Sequence, residues 1–122
     1  MRIVFHVGMG KTGTSSIQQA LAASAAELAA QNVHYLGMWF NEVAPRFRGY
    51  AGLAAFAAEP AEAQRAHAAT FLNACLARPR GADATFILSN EGLFGHAGDL
   101  APFFQALLEE AEVVFVLYVR PP

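Results

Sequence analysis

The sequence has little charge, one cysteine and one lysine. Charged residues make up 15% of the 122 positions and the net charge is −2. No basic field therefore points to nucleic acid or an anionic membrane surface as a partner. The single cysteine, Cys75, excludes an intrachain disulfide. Its place on the apolar face of a helix reads as a packing position, because buried free thiols are usually inert. No apolar stretch free of charge and glycine reaches the roughly 18 residues of a membrane-spanning helix. The apolar run after Met1 is too short for a secretion signal and leads straight into a glycine-rich turn, so the expected location is the cytoplasm.

Apolar side chains are plentiful, at 55% of the chain. That is enough to bury a real core and too much for disorder. The length suits one domain over residues 1–122. Arg2 to Val7 reads as a short buried strand and Gly8 to Gly13 as a turn. A helix is expected from Thr14 to Ala30, with Ile17, Leu21, Ala25 and Leu28 on one face and Asn32 ending it. Val33 to Leu36 reads as a second strand. Gly37 to Gly49 mixes Trp39, Phe40, Pro45, Phe47 and two arginines without a period. It is either a functional loop or a partly helical connector with packed aromatics.

A short helix follows from Tyr50 to Ala58. Another has Pro60 in its first turn and runs to Ala77, with Ala68, Leu72, Cys75 and Leu76 on one face. Arg78 to Gly81 stops it. Ala84 to Leu88 is a strand and Ser89 to Gly98 a polar loop. Asp99 is the expected N-cap of a helix whose stripe is Leu100, Phe103, Phe104, Leu107 and Leu108. Val113 to Val119 is β-prone. Strands alternating with helices imply an α/β fold: a parallel β-sheet with helices on both faces, joined by right-handed crossovers. Ligands in such folds bind at the carboxyl ends of strands. Three segments fall there: Gly8–Ser15, Ser89–His96 and Arg120.

The only lysine lies in the first of these, in Gly8-Met9-Gly10-Lys11-Thr12-Gly13-Thr14-Ser15. A strand, a glycine turn and a helix start make an anion site. The first helical N–H groups lack intrahelical partners, and the helix dipole adds partial positive charge. Glycine lets the backbone approach the anion closely. Lys11 would add a full charge, and Thr12, Thr14 and Ser15 would add hydroxyl donors. The loop departs from the Walker A pattern, because Phe5 stands where that pattern has its first glycine. Val113 to Val119 also lacks the acidic residue that commonly holds magnesium in such enzymes.

The run His6-Val7-Gly8-Met9-Gly10-Lys11-Thr12-Gly13-Thr14-Ser15-Ser16-Ile17-Gln18 resembles the 5′-phosphosulfate loop of the sulfotransferases dependent on PAPS (3′-phosphoadenosine-5′-phosphosulfate). Val116-Leu117-Tyr118-Val119-Arg120-Pro121 is similar to the strand and arginine that open that family's 3′-phosphate site. The two motifs stand in the family's order at opposite ends of the chain. The resemblance implies a P-loop-like three-layer α/β/α fold, PAPS as co-substrate with no metal, and a hydroxyl or amine acceptor such as a glycan or small molecule. It implies that Lys11 contacts the phosphosulfate, that Gly10, Thr12, Gly13, Thr14 and Ser15 hold the 5′-phosphate with it, and that Arg120 holds the 3′-phosphate. Family members are longer, so the chain is expected to be an N-terminal portion, truncated after Arg120.

A general base must deprotonate the acceptor. Glu91, just past a strand end, is the first choice and His96 the second. His6 reads as a buried supporting histidine. Ser89 and Asn90 could bond nucleotide or acceptor, or serve turn chemistry. The remaining alternatives are a P-loop nucleotide or small-molecule kinase and a non-catalytic nucleotide-binding remnant.

Overall fold

Four five-residue strands carry the architecture: β1 (Arg2–His6), β2 (Val33–Gly37), β3 (Thr85–Ser89) and β4 (Glu112–Val116). The computed structural model describes residues 1–7 and 14–117, with side chains at 1–7 and 16–117. All strand pairs are parallel, and their order across the sheet is β2-β3-β1-β4. The central strand β1 aligns His6 with Ser89 of β3 on one side and with Val116 of β4 on the other. The apolar runs Ile3-Val4-Phe5, Phe86-Ile87-Leu88 and Val113-Val114-Phe115 suit parallel strands covered by helices. The α/β parallel sheet expected from the sequence is therefore the one observed.

The helices are α1 (Thr14–Ala23), α2 (Ala25–Ala30), α3 (Gly49–Ala57), α4 (Ala61–Leu76), α5 (Leu93–His96) and α6 (Ala101–Leu108). The β1-to-β2 connection runs one way across the sheet, and the next two connections run back. Right-handed crossovers then put α1 and α2 on one face and α3 to α6 on the other. The packing of α4 against α6 agrees with this division.

Phenylalanine fills the space between the sheet and the second set of helices. Phe5 of β1 meets Phe71 of α4 at 6.4 Å between centroids and Phe104 of α6 at 5.1 Å. Phe40 and Phe56 stack at 4.4 Å, and Phe103 stands edge-on to both. Phe5, Phe40, Phe56, Phe71 and Phe103 are fully buried. Each such side chain contributes about 1.5–3 kcal/mol by leaving water. Cys75 is buried in the same layer. Burial and the nearby Glu42 push its thiol up to about 12, so it stays protonated at neutral pH.

Several local expectations are corrected. The single helix from Thr14 to Ala30 is two helices, bent at Ser24 (φ −97°, ψ 9°), and the bend keeps both pieces against β2. Ala25 faces solvent, while Ile17, Leu21 and Leu28 are half-buried. Leu76 and Leu108 extend their helices' apolar faces into solvent, at 51% and 55% exposure. Asp99 does not cap α6, which has Leu100 at its N-cap and no side-chain bond from that position. The capping acceptor comes from another helix: Gln64 of α4 takes the Phe103 N–H at 3.3 Å through Oε1. Its amide also donates to the Asp99 carbonyl at 2.8 Å and the Glu59 carbonyl at 3.0 Å. Since Gln64 is buried and supplies that partner, Asp99 is left to pair with His96.

Residues 37–49 are partly helical with packed aromatics. Pro45–Phe47 forms a 3-10 turn, and Phe40 and Phe47 are completely buried. Gly37 opens this segment with φ +89° at an irregularity in the β2–β3 pairing, a conformation that favours glycine. The loop after β3 contains the short helix α5. The β-prone run ending the chain starts one residue early: Glu112 belongs to β4 and pairs with Arg2 at 3.0 Å.

Candidate functional site

The strand order creates a switch point between β1 and β3. The chain leaves β1 towards β2 and leaves β3 towards β4, so the connections diverge and open a crevice above the carboxyl ends. The segments singled out in the sequence follow β1, β3 and β4, three adjacent strands with β1 in the middle.

At this edge His6 and Ser89 end their strands side by side. A 2.8 Å hydrogen bond joins His6 Nδ1 and Ser89 Oγ, and both residues are buried. Burial lowers the His6 pKa from its ordinary value, and the negative charge of Glu91 partly opposes this. His6 is thus a supporting histidine, as expected. Asn90 is fully buried and makes the turn. Its Oδ1 accepts the Gly92 N–H at 2.7 Å, and its amide donates to the Met38 carbonyl at 2.7 Å. Its backbone N–H reaches the His6 carbonyl at 3.0 Å. These bonds give Asn90 the turn role: it fastens the end of β3 to β1 and to the segment after β2.

This fastening sets the direction of Glu91, the next residue. Both its oxygens are engaged. Gln18 of α1 donates to Oε2 at 3.3 Å, and the Tyr50 hydroxyl of α3 donates to Oε1 at 3.1 Å. The Gln18 amide also donates to the Ser89 carbonyl at 2.9 Å. One amide therefore ties the helix that follows the glycine-rich run to the end of β3 and its carboxylate. Donating this bond to Glu91, beside that carboxylate's charge, raises the Tyr50 pKa from its ordinary value. His96, the second choice for the base, lies in α5 and pairs with Asp99 at 3.8 Å. It is not among the residues that meet at Glu91.

Beside Glu91 lies an open groove of about 490 Å³, walled by Tyr35, Met38, Tyr50 and residues of α1. Trp39 stands edge-on to Tyr50 with 5.3 Å between centroids. Sequence reasoning gave no role to Gln18, Tyr35, Met38 or Tyr50. Only Gln18 left a signal, one helical turn after Thr14 and so able to face the same crevice.

Gly10, Lys11, Thr12, Gly13 and Arg120 lie outside the described residues, as do the side chains of Thr14 and Ser15. What the structure describes of the expected site is its frame and Glu91. Among the described residues, no helix is long and apolar enough to cross a membrane. Comparison with protein-family descriptions, curated proteins and solved structures gave no match.

Proposed function

We propose that this chain is a PAPS-dependent sulfotransferase, or the donor-binding portion of one. It would transfer the sulfuryl group from PAPS to a hydroxyl or amine acceptor. The observation that carries this reading is the convergence at one sheet edge. Glu91, picked out as the base, is hydrogen-bonded through Gln18 to the helix that follows the Lys11 run. The strands before the Lys11 run and before Arg120 are adjacent.

In the proposed reaction the acceptor oxygen or nitrogen forms a bond to sulfur as the bond between sulfur and the bridging phosphate oxygen breaks. Glu91 takes the acceptor proton. Adenosine 3′,5′-bisphosphate leaves, with Lys11 neutralising the charge that grows on its 5′-phosphate. Gly10, Thr12, Gly13, Thr14 and Ser15 hold that phosphate, and Arg120 holds the 3′-phosphate. Sulfuryl transfer needs in-line positioning and neutralisation of the leaving group, and a lysine with helix N–H groups can supply both.

The test is transfer of labelled sulfate from PAPS to a panel of hydroxyl and amine acceptors by the full-length protein. Lys11→Ala is expected to lose about 100-fold or more in rate, and Glu91→Gln about 100-fold or more. A threefold loss or less at Lys11, or magnesium-dependent phosphoryl transfer from ATP in place of sulfuryl transfer, overturns the reading.

A further inference from the structure

We infer that the groove along α4 and α6 is a two-fold interface, and that its occupant is a second copy of this chain. α4 packs against α6. Two cavities of about 420 and 390 Å³ lie along this helix pair and share Ala69, Leu72 and Glu110, so they form one continuous groove. The first is also lined by Arg65 and Pro102, and the second by Leu76, Met1 and Ala82. Both helices run towards the starts of the next strands, since α4 leads into β3 and α6 into β4. Arg65 therefore marks one end of the groove, and Leu76, Glu109 and Glu110 mark the other. Leu76 follows Arg65 by eleven residues, roughly 16 Å along the helix axis.

The groove carries opposite charge at its two ends. Arg65, Glu109 and Glu110 are exposed, and among the described residues none of the three is in an ion pair. The carboxylates stand where their own helix disfavours them. Glu109 is the C-cap of α6 and Glu110 follows it, at the negative end of the helix dipole, and the last turn carries no basic residue. A cation supplied from outside would relieve that arrangement. Between the ends the surface is apolar: Ala69 is exposed, and Leu76 is 51% exposed beyond the core face of α4. A two-fold axis across the middle of α4 exchanges the ends of the groove. It sets Arg65 of each copy against Glu109 and Glu110 of the other, so the same charge contact is made twice. It also covers the exposed Leu76 of each copy with the other's α4. A basic helix from a different protein would meet Arg65 at one end, and an acidic helix would meet two carboxylates at the other. The pattern is complementary to itself, and a net charge of −2 sets only a small barrier to self-association.

Sedimentation equilibrium of the full-length protein tests this. A monomer–dimer equilibrium with a dissociation constant on the order of 10 μM is expected, weakened severalfold in about 0.5 M salt. Arg65→Glu should weaken it by about tenfold or more, and so should the double variant Glu109→Lys with Glu110→Lys. All three residues are exposed, so both variants should melt close to wild type. The deciding sample is an equimolar mixture of the two variants. Each two-fold contact in a mixed dimer pairs opposite charges, so association should return to within about threefold of wild type. A charge pair inside one chain cannot produce that recovery. A wild type that stays monomeric at about 200 μM, a dimer indifferent to both reversals, or a mixture that fails to recover overturns the inference. The result does not depend on the proposed reaction, because these residues line a different groove from Glu91.

Discussion

Replacing Gln18 by alanine tests whether the α1-to-β3 tie holds the site together. The substitution removes a 2.9 Å bond to the Ser89 carbonyl and a 3.3 Å bond to Glu91 Oε2. Ser89 is fully buried, so its carbonyl loses a partner where water has poor access. An unsatisfied buried acceptor costs about 1–3 kcal/mol. The second bond is longer and only partly buried, so it adds little. Alanine gains back a few tenths of a kcal/mol in helix propensity. The net loss is then about 1–2 kcal/mol, which lowers a urea midpoint by roughly 0.5–1 M. Gln18→Glu should be worse than alanine, because it sets a second carboxylate against Glu91 and an acceptor against the Ser89 carbonyl. Urea unfolding followed by circular dichroism measures both. Midpoints equal to wild type for both variants would refute the tie.

Three further outcomes follow from the packing and the charges. Gln64→Leu should cost at least about 3 kcal/mol in urea unfolding, since it strips buried partners from the Asp99 and Glu59 carbonyls and the Phe103 N–H. Gly52→Ala should destabilise by about 1–3 kcal/mol, because a Cβ there would lie 2.7 Å from the Phe47 carbonyl carbon and 2.8 Å from the Arg46 oxygen. His6 has a folded pKa below its ordinary 6.5, so the unfolded chain binds the proton first as pH falls. Its contribution is present above about pH 6.5 and is lost as pH drops through the folded value. Glu42 acts in the opposite sense, since burial raises its carboxyl above the usual 4.5. The difference between wild type and His6→Gln across thermal melts from about pH 7 to 5 isolates the histidine. A difference that does not change with pH contradicts its lowered pKa.

The sheet was legible because parallel strands announce themselves. Ile3-Val4-Phe5 and Phe86-Ile87-Leu88 are apolar without a break, and each leads into glycine or polar residues in the sequence. The order of the strands was not written in any segment, since it follows from which connections cross which face. Glu91 could be chosen from sequence because it stands one turn past a strand end. Its partners could not, because Tyr50 lies 41 residues away and Gln18 lies 73 away. Asp99 misled for a related reason: a good local cap signal lost to Gln64, which reaches α6 from a neighbouring helix. The α1–α2 break was hidden by uniform alanine, which favours helix on both sides of Ser24. The phosphate-loop reading rests on sequence, as Lys11 and Arg120 lie outside the described residues.

The central claim is tested most directly by calorimetric titration of the full-length protein with adenosine 3′,5′-bisphosphate, beside ATP with magnesium. The account predicts saturable binding of the bisphosphate that Lys11→Ala and Arg120→Ala each weaken by about tenfold or more. No heat with the bisphosphate at millimolar concentration, together with clear binding of ATP and magnesium, would contradict it.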